Sequence, residues 1–295
     1  MSHLIVNADD FGLTAGVNRA IAELHAAGVL TSATLMARAT ATDEAIEIAH
    51  ATPSLGIGCH VVLVDGDPVL PPEAIPTLID SSTSQFHPKL GPFLRRLLTG
   101  RMCATEIESE ATAQIAVLQS RGLRLTHIDT HKHTHMFPPV LRPVLRAARA
   151  AGIRAVRNPF EPAWSVRATE GPPWMRRAQV SVLRRFEHTF RQIASEEGFE
   201  TTNGSIGVLA TGTLDAATIN SLLRNLPDSG TWELVTHPGY NDADLARAHT
   251  RLLAERETER NALHALNQFP AAELISFARL AERTAGRATE QNARA

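Results

Sequence analysis

Apolar runs of strand length alternate with segments of helical period along most of this chain, and no other feature constrains its fold as strongly. A β-α-β-α order commits the strands to one largely parallel sheet covered by helices. The run Leu4–Ala8 ends in Asp9 and Asp10, and Thr14 then caps a helix carrying Val17, Ile21 and Leu24 on one face, closed by Gly28. Ser32–Met36 reads as a second strand, Ala41–Ala51 as a helix stopped by Pro53, and Ile57–Val64 as a third strand that contains His60. Residues 65–105 are rich in Pro, Asp, Ser and Gly, which predicts a long loop with one short helix around Phe93–Leu98. A helix over Glu106–Gln119, a strand over Leu125–Asp129, a helix over Pro138–Ala151 and a short strand over Ile153–Val156 follow. The alternation breaks over 158–203 and resumes with a strand at Ile206–Leu209, a helix at Asp215–Leu226, a strand at Glu233–Thr236, a long helix at Ala243–Leu266 and a last strand near Leu274–Phe277. Seven or eight such units predict one TIM-like (β/α) barrel, closed or incomplete, over residues 1–285, with 158–203 as an insertion and 286–295 as a flexible tail.

Composition narrows the partners. The 295 residues carry a formal net charge of −2, which gives no global basic excess for nucleic acid. Two cysteines, Cys59 and Cys103, are too few for a disulfide scaffold and form no C-x-x-C pair, so a reducing cytosol is the expected compartment. The amino terminus has no signal-peptide pattern, and no stretch reaches the roughly 18 apolar residues of a membrane span. Within the insertion, Val182, Phe186, Phe190 and Ile193 recur at helical spacing among Arg176, Arg177, Arg184, Arg185 and Arg191. An amphipathic stretch over 174–197 of this kind either lies on an anionic bilayer, placing the protein at the inner face of the membrane, or packs on the barrel with its arginines solvated.

Four clusters that carry chemistry stand at predicted strand ends: Asn7 to Gly12, Gly58 to His60, His127 to His135, and Thr236 to Tyr240. The carboxyl ends of barrel strands share one mouth, so these residues are expected to meet there. In the nine residues from 127 to 135, four are His and one is Asp, all at odd positions; at strand period they fall on one face. Crowded imidazoles favour a metal site over a lone core histidine. Successive side chains at the end of a strand diverge, so of Asp9 and Asp10 one can bind a metal while the other faces substrate. Two His and one Asp leave open coordination positions, the pattern of a catalytic metal.

The runs Ile5 to Leu13, Thr31-Ser32, Gly58-x-His60, Thr126 to His135 and His237 to Tyr240, in that order across about residues 3–280, resemble the YdjC-like carbohydrate deacetylases. The resemblance implies a metal triad of Asp10, His60 and His131, with Asp9 as general base and His237 as general acid. One departure is Thr130, where the family commonly has Ser before the metal histidine. The insertion after Arg157-Asn158-Pro159-Phe160 is similar to that of the hopanoid biosynthesis-associated subgroup, which implies an N-acetylglucosaminyl hopanoid lipid as substrate. Phe160, Trp164 and Trp174 then offer apolar cover for the lipid. The family is described as magnesium-dependent, whereas a His-rich donor set favours zinc or another late first-row ion. Deacetylation of soluble chitooligosaccharides, a metal-dependent phosphoesterase, a non-catalytic sugar- or metal-binding protein, and a homodimeric state all stay open at this point.

Overall fold

The structure is a computed structural model that describes residues 1–171, 174–248, 250–266 and 272–282. Pro172 and Pro173 of the insertion and the predicted tail 286–295 lie outside the described residues. Among the described residues eleven strands form: β1 (Ser2–Phe11), β2 (Ser32–Leu35), β3 (Gly56–Val61), a small hairpin of β4 (Ile79–Asp80) and β5 (Gln85–Phe86), β6 (His127–Thr130), β7 (Ala155–Val156), β8 (Glu200–Thr201), β9 (Gly204–Ile206), β10 (Gly230–Thr236) and β11 (Ala272–Leu274). Outside the hairpin every pairing is parallel, in the order β8-β7-β6-β3-β2-β1-β10-β9, with β11 added to the first residues of β1. The result is a curled, incomplete (β/α) barrel of eight strands. At the open seam between β8 and β9, irregular bonds replace a ladder: Ser205 N donates to Phe160 O at 3.2 Å and Asn158 Nδ2 to Thr202 O at 3.2 Å.

Local chemistry explains most of the elements. Thr14 Oγ1 accepts from Val17 N at 3.2 Å and caps helix Ala15–Ala26, whose Val17, Ile21 and Leu24 are buried against the sheet. Asp215 caps helix Ala216–Arg224 in the same way through Thr218 N. Gly28 follows the first helix at φ +74°, a left-handed end that favours glycine. The predicted long helix over 243–266 is instead two, Ala243–Arg247 and Ala254–His264, because Ala248 is extended. The short helix of the 65–105 loop is longer than expected, Leu90–Leu98.

The barrel floor is apolar and its upper interior polar. Ile5, Ala155, Ile275, Phe277 and Leu280 cluster at the bottom, and Phe277 stacks on His127 with centroids 3.9 Å apart. Gly58 makes room for that ring, since a Cβ there would lie 2.5 Å from His127 Cε1. The Gly58 of the Gly58-x-His60 motif therefore serves the barrel floor, two residues below the histidine that serves the mouth. Among the described residues no helix is long and apolar enough to cross a membrane.

The insertion departs from its sequence reading. It forms helices Ala163–Ala168, Trp174–Leu183 and Glu187–Glu196, with a 3-10 turn at Arg184–Phe186, so 174–197 is not one continuous amphipathic helix. Phe160, Phe190 and Ile193 are buried. Phe190 packs edge-on to Phe160 and His135, Phe186 to Phe137, and Trp164 to Trp232. Phe160, Phe190 and Ile193 are core, which removes Phe160 from a lipid-covering role, while Trp164 and Phe186 are partly buried against that core.

Candidate active site

Asp9 and Asp10 end β1 at a register shift against β2, between Ala8 and Phe11, with Asp10 at φ +61°. A bulge of this kind re-aims side chains, and here it sends the two neighbouring carboxylates to different partners. Asp10 Oδ1 meets His60 Nε2 at 3.4 Å and His131 Nδ1 at 3.2 Å, and those two nitrogens are 3.2 Å apart. Asp10 Oδ2 is held by Arg256 Nη2 at 2.5 Å. Asp9 faces the other way and receives both Nη atoms of Arg157, at 2.6 and 2.8 Å.

The strand register orients His60. It pairs with Asp129 across β3 and β6, so both side chains point the same way, and His60 Nδ1 lies 2.7 Å from Asp129 Oδ1. Donation to Asp129 fixes the ring orientation and turns Nε2, the nitrogen that can bind a metal once its proton is displaced, toward Asp10 and His131. Asp10 Oδ1 is buried without an aligned hydrogen bond. Three donors, from β1, β3 and the turn that follows β6, two nitrogens and one oxygen, thus converge with an orphaned carboxylate oxygen among them. Ligands held about 2.0–2.1 Å from a common ion sit about 3–3.4 Å from one another, which is the spacing seen here. The residues fit a single metal ion.

A second grouping, Asp9, His60 and Asp129, has similar proximity, but its oxygens are already engaged. Arg157 Nη1 also reaches Asp129 Oδ2 at 2.5 Å, and Arg157 Nη2 and Nε reach Glu233 Oε1 at 2.7 and 2.8 Å. Arg157 is fully buried, so one guanidinium binds three carboxylates from β1, β6 and β10. That cation fills the place a second metal would need.

Electrostatics follow from these contacts. Burial opposes the Asp9 carboxylate, but Arg157, with His60 and His237 nearby, outweighs it and holds Asp9 well below the usual carboxylate range. Burial likewise opposes ionised Asp10, and Arg256 with the two imidazoles outweighs it. For His60, burial pulls the pKa down while the Asp129 and Asp10 carboxylates push it up to about 10 in the metal-free protein. His237 directly follows β10, with Nε2 3.7 Å from Asp9 Oδ2 and Nδ1 3.8 Å from Glu259 Oε2, while its backbone N donates to Glu259 at 2.6 Å. Burial lowers the His237 pKa, and Glu259 and Asp9 together raise it above the ordinary histidine value.

The sequence reading of 127–135 as one face requires correction. The strand ends at Thr130, and Lys132 and His133 take left-handed φ of 54° and 52°, which breaks the two-residue period. His127 sits on the barrel floor, Asp129 supports His60, and His131 reaches the donor set. His133 lines the cleft, while His135 is buried between Thr130 Oγ1 at 2.8 Å and Arg157 O at 3.2 Å. Thr130 accepts from His135 N at 2.9 Å, a structural hydroxyl that Ser would also provide.

Burial holds His127 and His135 neutral, with pKa values well below the ordinary one, and pushes that of His133 down to about 3. The unfolded chain protonates these rings below about pH 6.5 and the folded chain does not, so stability is fully present above that pH and falls on acidification, by about 1.4 kcal/mol per pH unit for each ring. Glu233 opposes the trend, because burial, resisted by Arg157, pushes its folded pKa up to about 7. The apparent Tm is therefore expected to drop between pH 6.5 and 5, as thermal unfolding in a buffer series would show; a flat profile would mean that these rings are not held neutral.

The donor set lies on the wall of a cleft of about 580 Å³, whose lining includes Asp9, Asp10, His131, His133, His237 and Arg256, with Leu13, Met36, Leu90, Val208 and Leu252 as apolar surface. A (β/α) barrel with a converged Asp-His-His set, a buried carboxylate and a buried histidine at its mouth defines a hydrolase-type site. The chain belongs to the YdjC-like protein family, whose model matches residues 3–268. It is 35% identical to a carbohydrate deacetylase of Brevibacillus brevis over 81% of this chain and 82% of that one. It is 31% identical to a carbohydrate deacetylase of Mus musculus over 80% and 78%. A solved structure from Enterococcus faecalis V583, of a protein named for cellobiose-phosphate cleavage, superimposes with a TM-score of 0.74 at 25% identity, over 95% of this chain and 98% of that one.

Sequence reasoning missed Arg157, Glu233, Arg256 and Glu259. Glu233 carried the one available signal, a carboxylate inside the otherwise apolar strand Trp232-Glu233-Leu234-Val235, since a charge there requires a buried partner.

Proposed function

We propose that the protein hydrolyses the N-acetyl amide of an amino sugar, with Asp10, His60 and His131 holding a divalent metal, Asp9 as general base and His237 as general acid. The observation that carries the proposal is the convergence of those three donors within 3.4 Å of one another beside the Asp9–His237 pair. A divalent ion bound there supplies Lewis acidity for the acyl group and lowers the pKa of water. A donor set of two imidazoles and one carboxylate suits zinc or another late first-row ion better than magnesium. Arg157 keeps Asp9 ionised, so its carboxylate can accept the proton of an acidified attacking water. Glu259 and Asp9 favour protonated His237, which gives its Nε2 proton to the departing sugar nitrogen as the amide C–N bond breaks, leaving acetate and a free amine. The deacetylase names of the relatives point to the same chemistry.

The finer reading is N-acetylglucosamine linked to a hopanoid lipid, and the apolar stretch of cleft wall at Leu13, Met36, Leu90, Val208 and Leu252 supports a substrate larger than a free sugar. Asp9→Asn is expected to keep the metal and lose turnover by about a hundredfold or more. Acetate release from an N-acetylglucosamine oligomer, measured beside metal content, tests it. An Asp9→Asn enzyme with the wild-type rate would assign the base elsewhere.

A further inference from the structure

We propose that the outer face of helix Trp174–Leu183 docks the protein on an anionic lipid surface, beside the mouth of the cleft. The helix buries none of its residues. Trp174, Met175 and Val182 are 76%, 59% and 54% exposed, and with exposed Ala178 they form one outward stripe at helical spacing. The arginines between them turn inward: Arg176 Nη2 donates to Val208 O at 3.3 Å and Arg177 Nη1 to Val166 O at 2.7 Å. A surface helix ordinarily puts its apolar stripe on the core and its charges in water. Here the exposed stripe is apolar, and the two arginines share the inner side with the partly buried Val180 and Leu183.

Charge selects the partner. Residues 174–186 contain Arg176, Arg177, Arg184 and Arg185 and no carboxylate. The carbonyl acceptors satisfy hydrogen bonds without cancelling charge, and among the described residues the segment's one ion pair is Arg184 with Glu187, at 3.9 Å. An exposed tryptophan and aliphatic stripe on a cationic segment matches an anionic bilayer interface, where the apolar groups enter the headgroup region and the exposed Arg185, with Arg184 beside it, meets acidic headgroups. A second copy fits poorly, because a two-fold contact would bring this cationic segment against itself. The position suits the site: Arg176 and Leu252 both line the cleft, and Leu253, next to Leu252, is 37% exposed. Docking through this patch would turn the cleft toward the lipid-water boundary. The inference does not depend on the proposed activity, since vesicle binding requires no turnover.

Co-sedimentation of the full chain with phosphatidylglycerol/phosphatidylcholine vesicles, and with phosphatidylcholine alone, tests the proposal. Binding is expected only to the anionic vesicles, weakening as salt rises. It should fall at least about tenfold in Trp174→Ser/Val182→Ser and in Arg185→Glu. Unchanged thermal unfolding and acetate release from a soluble N-acetylated oligomer would show the variants intact. Equal partition onto both vesicle types, no partition of the wild type, or unchanged partition of the variants would overturn the proposal. Self-association in sedimentation velocity that Trp174→Ser abolishes, without vesicle binding, would assign the face to a second copy instead.

Discussion

Arg157→Met is expected to cost about 3–5 kcal/mol of folding stability and to remove most turnover with it. The native guanidinium is fully buried and contacts Asp9, Asp129 and Glu233 at 2.5–2.8 Å. Methionine fills much of its volume but leaves three carboxylates in the barrel interior without the guanidinium they share, Asp129 and Asp9 keeping only His60 and His237 as cationic neighbours. Glu233, already pushed up to about 7, would take a proton. Asp9 would lose the partner that both orients it and keeps it ionised, and Asp129 would hold His60 with a less defined charge. Arg157→Lys separates charge from geometry, because one ammonium cannot bridge three carboxylates as a planar fork does, and its stability should fall between wild type and Arg157→Met. Urea unfolding monitored by circular dichroism gives the comparison. A Met variant as stable as wild type would show that the three carboxylates are protonated in the native protein, contrary to the ionised Asp9 argued here.

Asp10→Ala, His60→Ala and His131→Ala are each expected to lose bound metal and nearly all turnover, because two remaining ligands do not hold an ion in catalytic geometry. The fold should survive for His131→Ala, since His131 is half-buried at the cleft, whereas Asp10→Ala leaves the buried Arg256 guanidinium without its carboxylate and is expected to lose stability as well. His60→Ala is the harsher change, as it strands Asp129 without its imidazole partner. An indirect effect is expected at Arg256, whose guanidinium holds the second oxygen of Asp10 at 2.5 Å: Arg256→Gln should weaken metal retention less than loss of a ligand but more than a surface change. Elemental analysis of the purified variants reads all of these. Full occupancy in the three alanine variants would place the ion elsewhere.

The residues at strand ends were legible because periodicity locates strand ends and a barrel gathers them. Asp9, Asp10, His60, His131 and His237 all follow apolar runs, and all five meet at one mouth. Their partners were not legible in the same way. Arg157 stands at the end of β7, where the sequence reads as the start of an insertion, and nothing local reveals that it points inward at carboxylates from strands far away in the chain. Arg256 and Glu259 lie on a helix whose start depends on the break at Ala248, which a single long helical period concealed. The histidine run misled for a local reason: a two-residue period holds only while the backbone is extended, and the left-handed Lys132 and His133 end it. At the insertion, the helical spacing of Phe186, Phe190 and Ile193 marked a face that packs on the barrel, one of the two arrangements the sequence left open, while Val182 of the same spacing is exposed.

The most direct test measures acetate and free amine released together from di-N-acetylchitobiose by the wild-type chain, loaded in turn with zinc, cobalt or magnesium. One amine per acetate, dependence on the added metal, and loss of both products in Asp10→Ala are expected. Tight metal retention with no acetate from this or any lipid-linked N-acetylated sugar would contradict it, and would leave the Asp-His-His set as a binding site without turnover.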